Sequence, residues 1–351
     1  MAIDTTADLR AHVSLACQVE LSTIPPYLYA MYSIGDQESD AARLIASVVV
    51  EEMLHVCLAT NLLLALGGEP SFGVEVMASY PANLAHHRPD LLLELKACTP
   101  ELVTDCFMAI ERPSAAGALP EDDEYETLGQ FYGALKQALD DLGDKSDLFA
   151  NCQADRQLSD PAFYGPVKFD AADSGGLLLV HDRLSADRAL EIIVDQGEGL
   201  SDHKWADPDH QELTHYYKFA QIADGTTPIG EVWPVTANPR TSQFPEAVRP
   251  VSDLFNALYR LVYVTMQDLF SGAGSQSGDV DRLYGLMSDC LAPAARYLVS
   301  YPIGDEATAS PTFEPYPLGD DPWEEVAALV ESVIASHPEL AGVMSTISRA
   351  L

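Results

Sequence analysis

Residues 48–70, VVVEEMLHVCLATNLLLALGGEP, are the most informative segment of the chain. Apolar side chains recur there at steps of three and four residues, which is typical of a helix with one buried face. Glu52 and His55 lie on that face, three residues apart, so both side chains point towards the predicted core. A charged carboxylate in a core is costly unless it is paired or bound to a metal ion. The segment therefore predicts a buried helix over residues 39–66 that carries a metal-ligating pair.

The segment before it predicts a second helix over residues 5–33, with Glu20 on its apolar face. The short connection at Gly35 makes these two helices an antiparallel pair. Glu20 and Glu52 lie at equal sequence separations from this turn, so we expect the two carboxylates side by side. The Pro25-Pro26 pair leaves two alternatives open, a kink beside Glu20 or an early end of the helix.

A second Glu-x-x-His motif, Glu212 to His215, lies in a predicted helix over residues 209–222. The preceding predicted helix, residues 185–199, carries Glu198 and, one heptad earlier, Glu191 as an alternative. One Glu from each of two helices and Glu-x-x-His from two others is the ligand set of dinuclear sites in ferritin-like four-helix bundles. The other interpretation is two surface Glu-His pairs. The predicted ligands are Glu20, Glu52, His55, Glu198, Glu212 and His215.

The remaining periodicity predicts a mainly α protein, with further helices over residues 100–111, 124–142, 251–270, 279–300 and 321–350. A short β-hairpin is predicted within residues 160–183. We expect a ferritin-like helical bundle over residues 1–225. A Pro-rich segment and a helical C-terminal extension, residues 226–351, would pack on that bundle.

Composition excludes several classes of partner. The chain has 351 residues and a formal net charge of −35, which disfavours binding to nucleic acid or to an anionic membrane surface. It shows neither an apolar run of about 20 residues nor a signal-peptide pattern. The 6 cysteines are scattered and form no Cys-x-x-Cys pair. These features predict a cytoplasmic protein with reduced thiols.

Several motifs resemble the ferritin-like family that contains the iminophenyl-pyruvate dimer synthase domain of chromopyrrolate and violacein pathway enzymes. They are QVELSTIPPYLYAMYSI (residues 18–34), the segment quoted first, MAIERP (108–113), LGQFYGAL (128–135), DQGEG (195–199), ELTHYYKF (212–219), WPVTANPR (233–240) and SPTFEPY (310–316). The similarity is dense to about residue 225 and thinner to about residue 318. It supports the six predicted ligands and adds Glu111, whose direct contact with an ion is left open. Because violacein-type relatives carry this domain within a longer polypeptide, the resemblance supports the fold more than the imine-dimerising reaction.

The sequence thus predicts a non-haem dinuclear enzyme that uses dioxygen on a small, amino-acid-derived natural-product substrate. Iron is the expected metal, with Mn or another divalent ion as alternatives. Glu20, Glu52 and His55 would hold one ion, and Glu198, Glu212 and His215 the other. Two alternatives stay open: oxidative dimerisation of α-imino acids, and metal binding without catalysis. The substrate and any homo-oligomer are left open.

Overall fold

The computed structural model describes residues 3–115, 117–158, 176–197, 213–272, 276–304 and 306–350. In these ranges the chain is mainly helical, which confirms the predicted class. The helices are α1 (Thr6–Ser33), α2 (Asp40–Ala65), α3 (residues 100–110), α4 (Leu128–Gly143), α5 (Arg183–Gly197), α6 (His215–Ala223), α7 (Arg249–Leu269), α8 (residues 276–300), α9 (Pro322–Ser336) and α10 (Ala341–Ala350). Two of them contain a π-helical segment: Val103–Phe107 in α3 and Leu286–Leu291 in α8.

Helix α1 begins at a capping box and continues through its two prolines. Thr5 Oγ1 accepts a hydrogen bond from the Asp8 amide, and the Asp8 carboxylate accepts one from the Thr5 amide. The helix runs on to Ser33, so an early end before Pro25-Pro26 is wrong. Pro26 cannot donate to the carbonyl of Ser22, and the Tyr80 hydroxyl donates to that carbonyl instead, at 2.7 Å.

Four helices form a bundle around the core. α1 packs along α2, α4 packs against α1, and α5 packs against both α2 and α4. α6 contacts α2 and α3, and therefore closes one side of the bundle. α2 is long and apolar enough to cross a membrane by length and composition, but 89% of its most apolar window is buried inside the molecule.

The C-terminal helices lie against the bundle. α7 packs against α8 and α9, and the last part of α8 contacts α1. The predicted division between residues 1–225 and 226–351 stays a prediction. The single helix expected over residues 321–350 is wrong, because the chain breaks at His337–Leu340. Pro338 disfavours helical geometry at His337, whose φ and ψ are −133° and 71°.

The β-structure differs from the prediction in position. An antiparallel pair joins β1 (Ala82–Asn83) to β2 (Leu92–Leu93). Of the hairpin predicted over residues 160–183, residues 160–175 lie outside the described ranges, and residues 177–180 form no strand. Side chains bond part of their backbone: the Gln157 amide bonds both the N–H and the carbonyl of Val180, and Asn61 donates to the carbonyl of Leu178.

Candidate metal centre

Five of the predicted ligand residues come together in the interior of the bundle. Glu20 comes from α1, Glu52 and His55 from α2, Glu111 follows α3 directly, and His215 is the first residue of α6. Each is at most 3% exposed. They form two groups, Glu20–Glu52–His55 and Glu52–Glu111–His215, and the ligand atoms within each group lie within 4.8 Å of one another. Glu52 belongs to both groups.

The Glu52 carboxylate points one oxygen at each imidazole. His215 Nδ1 lies 2.9 Å from Glu52 Oε1 and 3.4 Å from Glu111 Oε2. His55 Nδ1 lies 3.9 Å from Glu52 Oε2 and 3.5 Å from Glu20 Oε2. The two imidazole rings stack with their centroids 5.4 Å apart. This arrangement suits a carboxylate that bridges two cations, each with an imidazole of its own.

The other nitrogen of each imidazole is held by a polar side chain. His55 Nε2 lies 2.9 Å from Gln196 Oε1 on α5, and His215 Nε2 lies 2.9 Å from Glu51 Oε2. An imidazole that donates its Nε2–H in this way keeps Nδ1 as a lone-pair donor for a metal. The buried Lys218 ammonium lies 2.5 Å from the same Glu51 oxygen, so an ion pair holds the carboxylate behind His215.

Three hydroxyl groups orient the carboxylates. The Tyr27 hydroxyl donates to Glu111 Oε1 at 2.6 Å, and the Tyr132 hydroxyl donates to Glu20 Oε1. The Thr23 hydroxyl lies 3.2 Å from Glu52 Oε2 and 2.8 Å from its own helix carbonyl at Glu20. These contacts restrict the rotamers of the carboxylates from outside the cluster.

Burial and the neighbouring charges shift the pKa values of Glu52, Glu20 and His215. Burial, with the negative charges of Glu20 and Glu111, raises the pKa of Glu52 well above its usual range. Burial also opposes ionisation of Glu20, but hydrogen bonding and charge from His55 outweigh it and lower the pKa of Glu20. Burial opposes protonation of His215, yet the carboxylates of Glu111, Glu51 and Glu52 together raise its pKa well above 6.5.

These residues fit bound divalent cations. His215 Nδ1 is buried and makes no hydrogen bond, although two carboxylate oxygens lie within 3.4 Å of it. A positive charge between this nitrogen and those oxygens would satisfy all three atoms, and a metal ion supplies it without a proton. Carboxylate oxygens combined with imidazole nitrogens suit iron, manganese or zinc.

Two predicted ligands, Glu198 and Glu212, lie outside the described residues. In the described part of the range 209–222, residues 213–222, the helix begins at His215, since Thr214 is extended, with φ −67° and ψ 163°. Thr214 therefore does not continue the helix that the motif assumes, and the position of Glu212 stays a prediction. Glu191 is also wrong as a buried alternative, because its side chain is 41% exposed and lies 3.1 Å from the Lys136 ammonium.

Sequence reasoning missed Gln196 and Lys218. Both carry a signal in the helical spacing. Gln196 follows the buried Ile192 and Ile193 at steps of four and three, and Lys218 follows His215 by three residues. A polar residue on a buried face needs a partner, which points to contact with the cluster.

A narrow cleft adjoins the cluster between α3, α4 and α5. Its lining combines four of the ligand residues with apolar and small neighbours: Glu20, Glu52, His55, Glu111, Leu128, Tyr132, Val194 and Gly197. Its volume is only about 10 Å³, which is room for about one water molecule. A Cβ atom on Gly197 would lie 3.4 Å from Glu111 Oε2, so the glycine lets α5 approach the carboxylate closely.

Comparison with known proteins supports the same architecture. A profile of the family described as Ferritin-like matches residues 13–224, which is more than half of the chain. A crystal structure of a ferritin-like protein from Caulobacter vibrioides superposes with a TM-score of 0.63 and 22% identity, over 88% of this chain and 100% of that one. That likeness shows a shared fold.

Two curated proteins are similar in sequence. One is 2-imino-3-(indol-3-yl)propanoate dimerase of Chromobacterium violaceum, with 26% identity in an alignment of 370 positions that covers 93% of this chain and 35% of that protein. The other is dichlorochromopyrrolate synthase of Lentzea aerocolonigenes, with 26% identity in an alignment of 378 positions that covers 89% of this chain and 36% of that protein. The chain thus spans about a third of the length of these relatives.

Proposed function

Because the chain belongs to the ferritin-like family, we propose that it is a metal-dependent oxidoreductase with two iron ions in the buried Glu/His cluster. The observation that carries the proposal is the position of Glu52 between two imidazoles. Glu20 and His55 would complete the site of one ion, and Glu111 and His215 that of the other. Glu198 and Glu212 stay proposed as further ligands.

Bound iron would supply electrons to dioxygen, a chemistry that carboxylate and imidazole ligands support. The chain itself would position the metal-binding imidazoles and exclude bulk solvent. Gln196 and Glu51 hold the outer nitrogens of the imidazoles, which keeps both Nδ1 atoms turned towards the metal positions. The cleft admits about one water molecule, so bulk solvent stays away from the reacting centre.

The substrate that we propose is a small organic molecule derived from an amino acid. The two curated relatives are named for an indole-bearing imino acid and for dichlorochromopyrrolate, and both are enzymes. A second candidate function follows from the same names: oxidative coupling of two α-imino acids. One bond forms between the two molecules, each molecule loses one hydrogen, and the two electrons and two protons pass to dioxygen. Assay of indole-derived imino acids with and without bound iron separates the two candidates.

Metal analysis tests the proposal. Protein loaded with ferrous iron under anaerobic conditions and then desalted should keep two iron ions per chain. His55→Ala and His215→Ala should each lose about one ion, because each removes the only imidazole that the described residues offer to that site. His12→Ala is the matched control, since His12 on α1 is also a buried histidine but its Nδ1 bonds the Asp8 carbonyl instead of facing the cluster.

Unchanged iron content in both cluster variants would reject the ligand assignment. Two bound ions with no oxygen consumption and no turnover of an indole-derived imino acid would favour metal binding without catalysis.

A further inference from the structure

A second recess lies between the α1–α2 pair and helices α7 and α8. Its volume is about 320 Å³. None of its lining residues belongs to the Glu/His cluster or to the side chains that orient the cluster. The two spaces share α1 and α2 as a common wall: Leu21 and Met53 line the recess, while their neighbours Glu20 and Glu52 belong to the cluster.

Each of the four helices contributes a methionine to the recess. Met31 comes from α1, Met53 from α2, Met266 from α7 and Met287 from α8. Methionine is unbranched and polarisable, so it adapts its shape to apolar ligands and is common at binding surfaces. A methionine side chain from each of the four helices is typical of a cavity that binds an apolar ligand.

Among the described residues that line the recess, none carries a charged side chain. The polar atoms are hydroxyls, among them those of Tyr259 and Tyr263, which lie 3.0 Å apart. Burial raises the pKa of Tyr263 to about 12, so this phenol is neutral at physiological pH. The recess therefore offers neither a counter-ion for a charged ligand nor a metal site.

The lining of the recess ranges from buried to exposed side chains. Tyr32, Val56 and Leu291 are each at most 3% exposed, whereas Ser288 is exposed. Leu291 and Ser288 belong to the π-helical segment of α8. π-Helical segments are rare and occur frequently at functional sites, because the extra residue re-aims the side chains.

From these observations we propose that the recess binds an uncharged, mainly apolar organic molecule of about two fused rings. We infer the size of the ligand from the volume of the recess: a dry apolar cavity of about 150 Å³ holds one benzene ring, and the recess has about 320 Å³. The volume and the lining from four helices favour a small molecule over a protein segment. This proposal is independent of the metal cluster and of the activity proposed for it.

Titration of the full chain with 5-fluoroindole, followed by ¹⁹F NMR, tests the proposal. This probe is neutral and has two fused rings. We expect saturable binding of one molecule per chain. Val262→Phe fills the recess from α7 and Val50→Phe fills it from α2, so each should weaken binding at least about tenfold. Val264→Phe is the matched control, because Val264 lies on the same helix outside the lining and should leave binding unchanged.

The charged analogue indole-3-acetate should bind at least about tenfold more weakly than 5-fluoroindole, since the recess holds no cation for its carboxylate. Circular dichroism and thermal unfolding confirm that each variant is folded before titration. Binding that persists in both filling variants would place the probe elsewhere and overturn the proposal. Absence of saturable binding to the unsubstituted chain, or equal affinity for the charged analogue, would overturn it as well.

Discussion

Glu51 is predicted to control both the affinity of the His215 metal position and the stability of the fold. Its carboxylate accepts from His215 Nε2 at 2.9 Å and lies 2.5 Å from the Lys218 ammonium. The side chains of Glu51 and Lys218 are 4% and 5% exposed, so the magnitudes of a buried pair apply. Glu51→Leu leaves the buried ammonium without this counter-ion, and we expect a loss of about 3–5 kcal/mol in the free energy of unfolding.

The same substitution removes the acceptor that fixes the imidazole of His215. Losing such a partner lowers metal affinity by about 10–100-fold. The effect should be confined to one ion, since His55 is held by Gln196 instead. Cobalt titration against a competing chelator measures the two affinities, and urea unfolding of the metal-free protein measures stability.

Glu51→Gln is the matched control, because its amide oxygen can still accept from His215 Nε2 while the charge is lost. It should retain most of the metal affinity and still lose stability. The reasoning is refuted if Glu51→Leu binds both ions as the unsubstituted chain does, or if Leu and Gln lower the affinity equally.

Three further outcomes are expected. Burial opposes protonation of His215, but the carboxylates of Glu111, Glu51 and Glu52 raise its pKa above 6.5, so metal loading should release protons. The affinity for the metal should therefore rise as pH rises above 6.5, which calorimetry in buffers of different ionisation enthalpy would show. Tyr80→Phe should lower the free energy of unfolding in urea by about 1–3 kcal/mol, because it leaves the Ser22 carbonyl without its donor. Adding Pro26→Ala should restore part of the loss, because alanine supplies the backbone N–H that Pro26 lacks. Native protein treated with a thiol reagent at pH 8 should react slowly and only at Cys152, because the other five cysteines are buried. Burial raises the pKa of Cys98, for example, to about 12. Rapid labelling of more than one thiol would contradict this packing.

The sequence predicted the centre of the cluster because local rules apply there without interruption. Helices α1 and α2 are regular, their connection is short, and the spacing of Glu20 and Glu52 from the turn places their carboxylates together. The helical phase of His55 relative to Glu52 then follows from the helix geometry alone.

The outer part of the cluster could not be predicted in the same way. Glu111 lies beyond the π-helical segment Val103–Phe107, where the extra residue shifts the helical phase, so periodicity does not predict its direction. His215 begins its helix after an extended Thr214, and a motif that assumes continuous helix fails there. Gln196 carries no charge, and its helical spacing places it only on the buried face, so its pairing with His55 in particular is known from the structure alone.

Anomalous diffraction at the iron edge, from crystals of protein loaded with ferrous iron, is the decisive measurement. We expect two peaks inside the bundle, one beside Glu20 and His55 and the other beside Glu111 and His215, with Glu52 between them. A single peak, or iron bound only at the acidic surface, would contradict the proposed dinuclear centre.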